Sequence, residues 1–159
     1  MILVLLGTQN NSFHRLLEEV EKNIENGNIK EKVIVQKGYT KFESKNMILY
    51  NHLPLDEINE LIEKSELVIT HGGVGSIITS LEKNKKVIAV PRLKKYKEHV
   101  NDHQLDIIKS FDEKGYIIGL SCVEELGEAL EKVKTFQPNK YVKNTGNIIN
   151  IIENFINNN

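Results

Sequence analysis

The sequence predicts an α/β fold, a parallel sheet with helices on both faces, and three observations predict it. Short, nearly uniform apolar runs at 1–6, 33–35, 47–49, 67–69, 87–90 and 116–118 have the length and composition of strands buried on both sides. The segments between them place apolar residues at helical spacing. The two kinds of segment alternate along the chain, which is the pattern of successive βαβ units. At 159 residues, one domain covering 1–159 is expected, large enough to bury a substantial core.

In chain order, Met1 to Leu6 reads as a buried first strand that stops at Gly7 and runs into the polar loop Thr8-Gln9-Asn10-Asn11-Ser12. Ser12 is a candidate cap for a helix bearing Phe13, Leu16, Leu17, Val20 and Ile24, and Gly27 marks its end. After the second strand come the Gly38-Tyr39-Thr40 loop and a third strand at 47–49. Pro54 then opens a helix with Leu55, Ile58, Leu61 and Ile62. Leu67-Val68-Ile69 leads into His71-Gly72-Gly73-Val74-Gly75-Ser76 and a helix with Ile77, Ile78 and Leu81 that ends near Asn84. The strand 87–90 stops at Pro91. A helix through Leu105, Ile107, Ile108 and Phe111 is broken by Gly115, and 116–118 supplies the last strand. A helix over 124–134 follows. Pro138 separates it from a final apolar helix over 147–156, whose tail is expected to fray.

Composition removes several function classes. A net charge of −1 provides no bulk basic field for nucleic acid. The single cysteine, Cys122, excludes an internal disulfide, fits a reducing cytoplasm, and has no base beside it to make it a nucleophile. The apolar amino terminus lacks a basic flank and is too short for a signal peptide or a membrane span. Membrane contact is therefore expected to be peripheral or through a partner.

The stretch from Leu67 to Gln104 carries the chemistry. Three glycines within four positions, at 72, 73 and 75, exceed what a connecting turn needs. Glycines let a ligand approach the main chain. The first N–H groups of the following helix are unpartnered and lie at the positive end of its dipole, an arrangement suited to a diphosphate. Ile78 stands where a dinucleotide fingerprint needs its third glycine, and Ser76 follows Gly75 where a Walker loop needs lysine. Kinases and dehydrogenases are thereby excluded. His99 and His103 stand four apart, but Val100 replaces the glutamate of a zincin pair, and no metal is expected. The chain contains no Asp-x-Asp pair, so backbone amides and basic side chains would have to meet a ligand's charge. Arg92, Lys94, Lys95 and Lys97 form a basic loop on the same edge, suited to an anionic ligand, membrane headgroups, a partner, or solvent alone. Asn101-Asp102-His103-Gln104 reads equally as a capping box, with Gln104 reaching back to Asn101, or as part of the site.

The run His71 to Ser76, then Val90-Pro91, then Glu98-His99-Val100-Asn101-Asp102-His103-Gln104, resembles the carboxyl-terminal domain of glycosyltransferase family 28. Gly7-Thr8-Gln9 with Phe13 and Arg15-Leu16 is similar to that family as well, so the resemblance spans nearly the whole chain. It is strongest to short bacterial capsule and exopolysaccharide proteins similar to the cytosolic subunit of the eukaryotic dolichol-linked N-acetylglucosamine transferase. The resemblance implies a Rossmann-like, single GT-B carboxyl-terminal-type domain that binds a nucleotide-sugar, usually a UDP-sugar, without metal.

On that basis Gly72, Gly73, Gly75 and Ser76 would hold the diphosphate. Thr8 and Gln9 would face the cleft, with Arg92, Glu98, Asp102 and Gln104 at the sugar and phosphate end. His71 and His103 would be the groups for phosphate contact or proton transfer. Many relatives place a ribose-binding glutamate where this chain has Thr79, which leaves its nucleotide preference open. A full GT-B enzyme has two such domains. The resemblance therefore implies a split, inverting hexosyltransferase, active with a membrane-associated, acceptor-binding subunit and a lipid-linked acceptor, held at the inner face of the membrane through that partner. The helix over 147–156 is a candidate docking element. Two rivals stand beside this expectation: a non-catalytic activator of the membrane subunit, and a GT-B-type epimerase, which would need both domains in one chain.

Overall fold

The computed structural model describes residues 1–142. Six parallel strands form one sheet: β1 (Ile2–Leu5), β2 (Val33–Gln36), β3 (Ile48–Tyr50), β4 (Leu67–His71), β5 (Lys86–Val90) and β6 (Ile118–Gly119). Their spatial order is β3-β2-β1-β4-β5-β6, so the direction of progression reverses between β1 and β4. In open α/β sheets the crevice beyond the carboxyl ends at that reversal is the natural ligand position. Here it is bounded by the segments leaving β1 at Leu6 and β4 at His71.

Among the described residues, five α-helices cover the sheet: α1 (His14–Glu25), α2 (Leu55–Lys64), α3 (Val74–Glu82), α4 (His103–Glu113) and α5 (Leu126–Val133). Side chains alternate across each strand, so β1 sends Ile2 and Val4 to one face and Leu3 and Leu5 to the other. The first face packs on Leu16, Leu17 and Val20 of α1 and Ala129, Leu130 and Val133 of α5. The second packs on Ile62 of α2, Ile77 and Leu81 of α3, and Ile108 and Phe111 of α4. Both faces are covered, which is why the strands read as unbroken apolar runs.

Several boundaries differ from the sequence pattern, each for a local reason. Ser12 does not cap α1. The helix starts at His14, and the Phe13 amide donates 2.9 Å to Thr40 Oγ1, a cap supplied from the loop after β2. β6 is displaced to Ile118–Gly119 because the Tyr116 amide closes the end of α4 by donating to Phe111 O, while Gly119 pairs with Ala89. β3 lies one residue later than expected, at the sheet edge, with Met47 buried and Ile48 and Tyr50 exposed. The helix over 147–156 falls outside the described residues. Among the described residues, no helix is long and apolar enough to cross a membrane.

Candidate functional site

The start of α3 lies directly beyond β4. Its cap position is Gly73 in extended backbone (φ −76°, ψ 122°), no side chain caps it, and no acidic residue occupies its first turn. The first intrahelical bond runs from the Ile77 amide to Gly73 O, which leaves the amides of Val74 to Ser76 to whatever approaches the helix end. Gly75 is exposed, and a Cβ built there would meet nothing within 4 Å. At Gly75 no side chain occupies the space before this helix start.

The neighbouring glycines serve a different purpose. The His71 ring is wedged between two of them: a Cβ on Gly73 would lie 2.4 Å from its Cε1, and one on Gly7 would lie 2.5 Å from its Nε2. Gly7 also adopts φ +78°, a left-handed conformation that favours glycine. A Cβ on Gly72 would come within 2.6 Å of Gln104 Cβ. Gly7, Gly72 and Gly73 therefore make room for His71 and Gln104, and of these four glycines Gly75 alone leaves open space.

Gln104 is buried at the first turn of α4 and points inward. Its Oε1 accepts from the Gly72 and Arg92 amides, both at 3.0 Å, and its Nε2 lies 3.1 Å from His71 Nδ1. It takes no part in a capping box. The His103 amide instead donates to Asn101 Oδ1 at 3.0 Å. Burial, the nearby Arg92 guanidinium and His99 drive the His71 pKa down to about 3, outweighing its hydrogen bond to Gln104. At neutral pH the ring is uncharged and a poor proton acceptor, though it retains one N–H to donate.

Arg92 is corrected from a surface cation to an internal brace. It is 1% exposed, and it is separated from Lys94, Lys95 and Lys97, which are exposed. Its guanidinium donates to Leu6 O, to Asn11 O at 2.8 Å and to Glu98 O at 3.1 Å. Desolvation lowers its pKa to about 10 against the pull of Glu98. Glu98, assigned above to the ligand end, is likewise 2% exposed. Its carboxylate is gripped by Arg15 through Nε at 2.8 Å and Nη2 at 2.9 Å, and it accepts from the Leu93 amide at 3.0 Å. Arg15 also stacks on Tyr96, 3.6 Å from the ring centroid. The Arg15–Glu98–Arg92 chain ties α1 and the segment after β1 to the loop after β5. Arg15 and Gly7 were absent from the candidate site. Their partners lie 83 and 64 positions away, so local spacing did not announce their roles, although the family resemblance included both residues.

The remaining candidates lie around this frame. Thr8 is exposed and Gln9 half-buried after β1, with Gln9 Nε2 2.8 Å from His99 Nε2. Burial and Arg92 lower the His99 pKa. Ser76 and Thr79 stand on α3 beside a cavity of about 270 Å³ that Leu5, Leu55 and Ile58 also line. Asp102 Oδ1 accepts from the Lys94 amide at 2.8 Å and pins the basic loop to the start of α4. His103 is half-buried on the first turn of α4, whereas His99 lies in the loop before it, so the two do not share a helix face. Among the described residues, no group of three His, Cys, Asp or Glu side chains is arranged to hold a metal ion.

Comparison with known proteins agrees with this architecture. The family described as glycosyltransferase family 28 C-terminal domain matches residues 1–158. The UDP-N-acetylglucosamine transferase subunit ALG13 of Homo sapiens is 36% identical over 67 residues, 42% of this chain and 6% of that protein. Its Candida albicans counterpart is 39% identical over 67 residues, 42% of this chain and 22% of that one. The match thus spans only a small part of these relatives. Among solved structures, that of ALG13 superposes with a TM-score of 0.58 at 20% identity, covering 87% of each chain. The glycotransferase of kitacinnamycin gives 0.59 at 16% identity, over 84% of this chain and 34% of the other. Acinetobacter baumannii MurG gives 0.54 at 15% identity, over 95% and 49%. These structural likenesses establish the fold, a GT-B carboxyl-terminal, Rossmann-like sheet. With the match running over residues 1–158, the chain belongs to the glycosyltransferase family 28 C-terminal domain family.

Proposed function

We propose that this chain binds the nucleoside diphosphate of an activated sugar at the start of α3. It would act as the donor-binding subunit of a split, inverting, metal-independent glycosyltransferase. The single observation that carries this reading is the open helix end. Three amides and a positive dipole face a crevice at the sheet's reversal point, with no capping side chain and no acid in the first turn. In a transfer reaction these amides would stabilise charge as the diphosphate leaves.

A UDP-sugar donor, a hexose or N-acetylhexosamine as the group moved, and assembly with another subunit are supported by the names of the ALG13 relatives. A lipid-linked acceptor in polysaccharide synthesis, and a cytoplasmic position at the membrane through an acceptor-binding partner, complete the proposal. The domain would then be one half of the cleft, spanning 1–159. A second reading, a non-catalytic activator, is favoured by Thr79, which stands where many relatives carry a ribose-binding glutamate.

UDP and UDP-sugars titrated into the protein, alone and with its partner subunit, separate the two readings. Saturable binding that is lost in Gly75→Val, with an unchanged circular dichroism spectrum, is the expected result. A Val side chain at 75 fills space that is empty in the fold and blocks close approach of phosphate. Absence of binding in both states would favour the activator.

A further inference from the structure

We propose that Gln104 is a positioning residue: its amide fixes the ring tautomer of His71, so that Nε2 carries the proton and donates to an anionic oxygen of the ligand at the glycine turn. The ligand half of this proposal rests on the donor-binding reading above.

The argument is one of hydrogen-bond direction. Two backbone amides, Gly72 and Arg92, converge on one side-chain atom of Gln104, each at 3.0 Å. Backbone N–H groups only donate, so that atom is the carbonyl oxygen and the amide orientation is fixed. The NH₂ group is then the atom 3.1 Å from His71 Nδ1, and it also only donates. Nδ1 must accept, and a neutral imidazole with an accepting Nδ1 carries its proton on Nε2. That nitrogen lies against Gly7 and Gly73, whose absent side chains leave room for it where the segments leaving β1 and β4 meet.

The charges around the ring favour its neutral form. Arg92 and His99 both oppose its protonation, and among the described residues no carboxylate offsets them. Ordered tautomer and missing charge together make His71 a fixed neutral donor.

Gln104→Glu tests this with almost no change of shape. One carboxylate oxygen can still accept from Gly72 and Arg92, but the other now faces Nδ1 as an acceptor. With that carboxylate ionised, the ring proton moves to Nδ1. Nitrogen-15 NMR of the full chain, labelled at histidine, distinguishes a protonated from an unprotonated ring nitrogen without any ligand. The wild type should show Nε2 protonated and Nδ1 bare at pH 7, and Q104E should show the reverse or a doubly protonated ring. Calorimetric titration with UDP should show affinity weakened about tenfold or more, the loss of one hydrogen bond to a charged oxygen. Gln104→Met, which adds no charge, should weaken UDP in the same direction and so separate the tautomer from simple repulsion.

A wild-type ring protonated at Nδ1, or Q104E that keeps the wild-type pattern, overturns the proposal. So does a swapped ring, or a Q104M protein, that binds UDP as tightly as wild type. A wild type with the expected ring state that takes no UDP overturns the donor-binding reading and the ligand half with it, a failure the NMR result keeps apart from the others.

Discussion

Replacing Arg92 with methionine should destabilise the fold by about 3–5 kcal/mol, whatever it does to ligand binding. The guanidinium serves the backbone carbonyls of Leu6, Asn11 and Glu98, and the first and last of these bonds are buried. A buried acceptor left without its partner costs about 1–3 kcal/mol, and less where water can replace the donor, as it can near Asn11. The Glu98 carboxylate also loses a neighbouring positive charge, although Arg15 still grips it. Against a total stability of about 5–15 kcal/mol, this loss is large but survivable. Urea unfolding followed by far-ultraviolet circular dichroism at pH 7 measures it. At a slope of about 2 kcal/mol per molar, the midpoint should fall by roughly 2 M. Arg92→Lys, which keeps the charge but not the three-way reach, should fall between the two. A midpoint for R92M within about 0.3 M of wild type would refute the brace. It would return Arg92 to the pool of cations free to meet a ligand.

Stability should decline with acidification through the His71 ring. Its folded pKa of about 3 lies below the ordinary value of 6.5, so the unfolded chain binds the proton first. The stabilisation is complete above pH 6.5 and is lost as pH falls toward 3, and between pH 7 and pH 5 the loss from this one group is about 2 kcal/mol. Denaturant midpoints across that range check it, and a flat profile contradicts the burial argument. Thr40→Val keeps the shape of the side chain but removes the oxygen that caps α1, and should cost about 1 kcal/mol by the same urea assay. An unchanged midpoint would show that another group receives the Phe13 amide.

The sequence by itself determined the class of fold and marked out the glycine turn as the candidate site. Strands buried on both faces must be apolar throughout, and helices covering them must show a stripe at every third or fourth residue. Both patterns are local and survive without any knowledge of packing. The open helix start at Gly75 was equally legible, because an unpartnered helix end is a property of adjacent residues, whereas the packing of His71 and Gln104 against Gly73 and Gly72 was not. Tertiary structure alone decided the roles of individual side chains. Thr40 caps a helix 27 residues before it, Gln104 clamps a turn 32 residues away, and Arg92 braces a carbonyl 86 positions distant. Each had a sound local reading, as loop residue, capping partner or surface cation. Each was redirected because a buried amide or carbonyl needed a partner that only the folded chain brings within 3 Å.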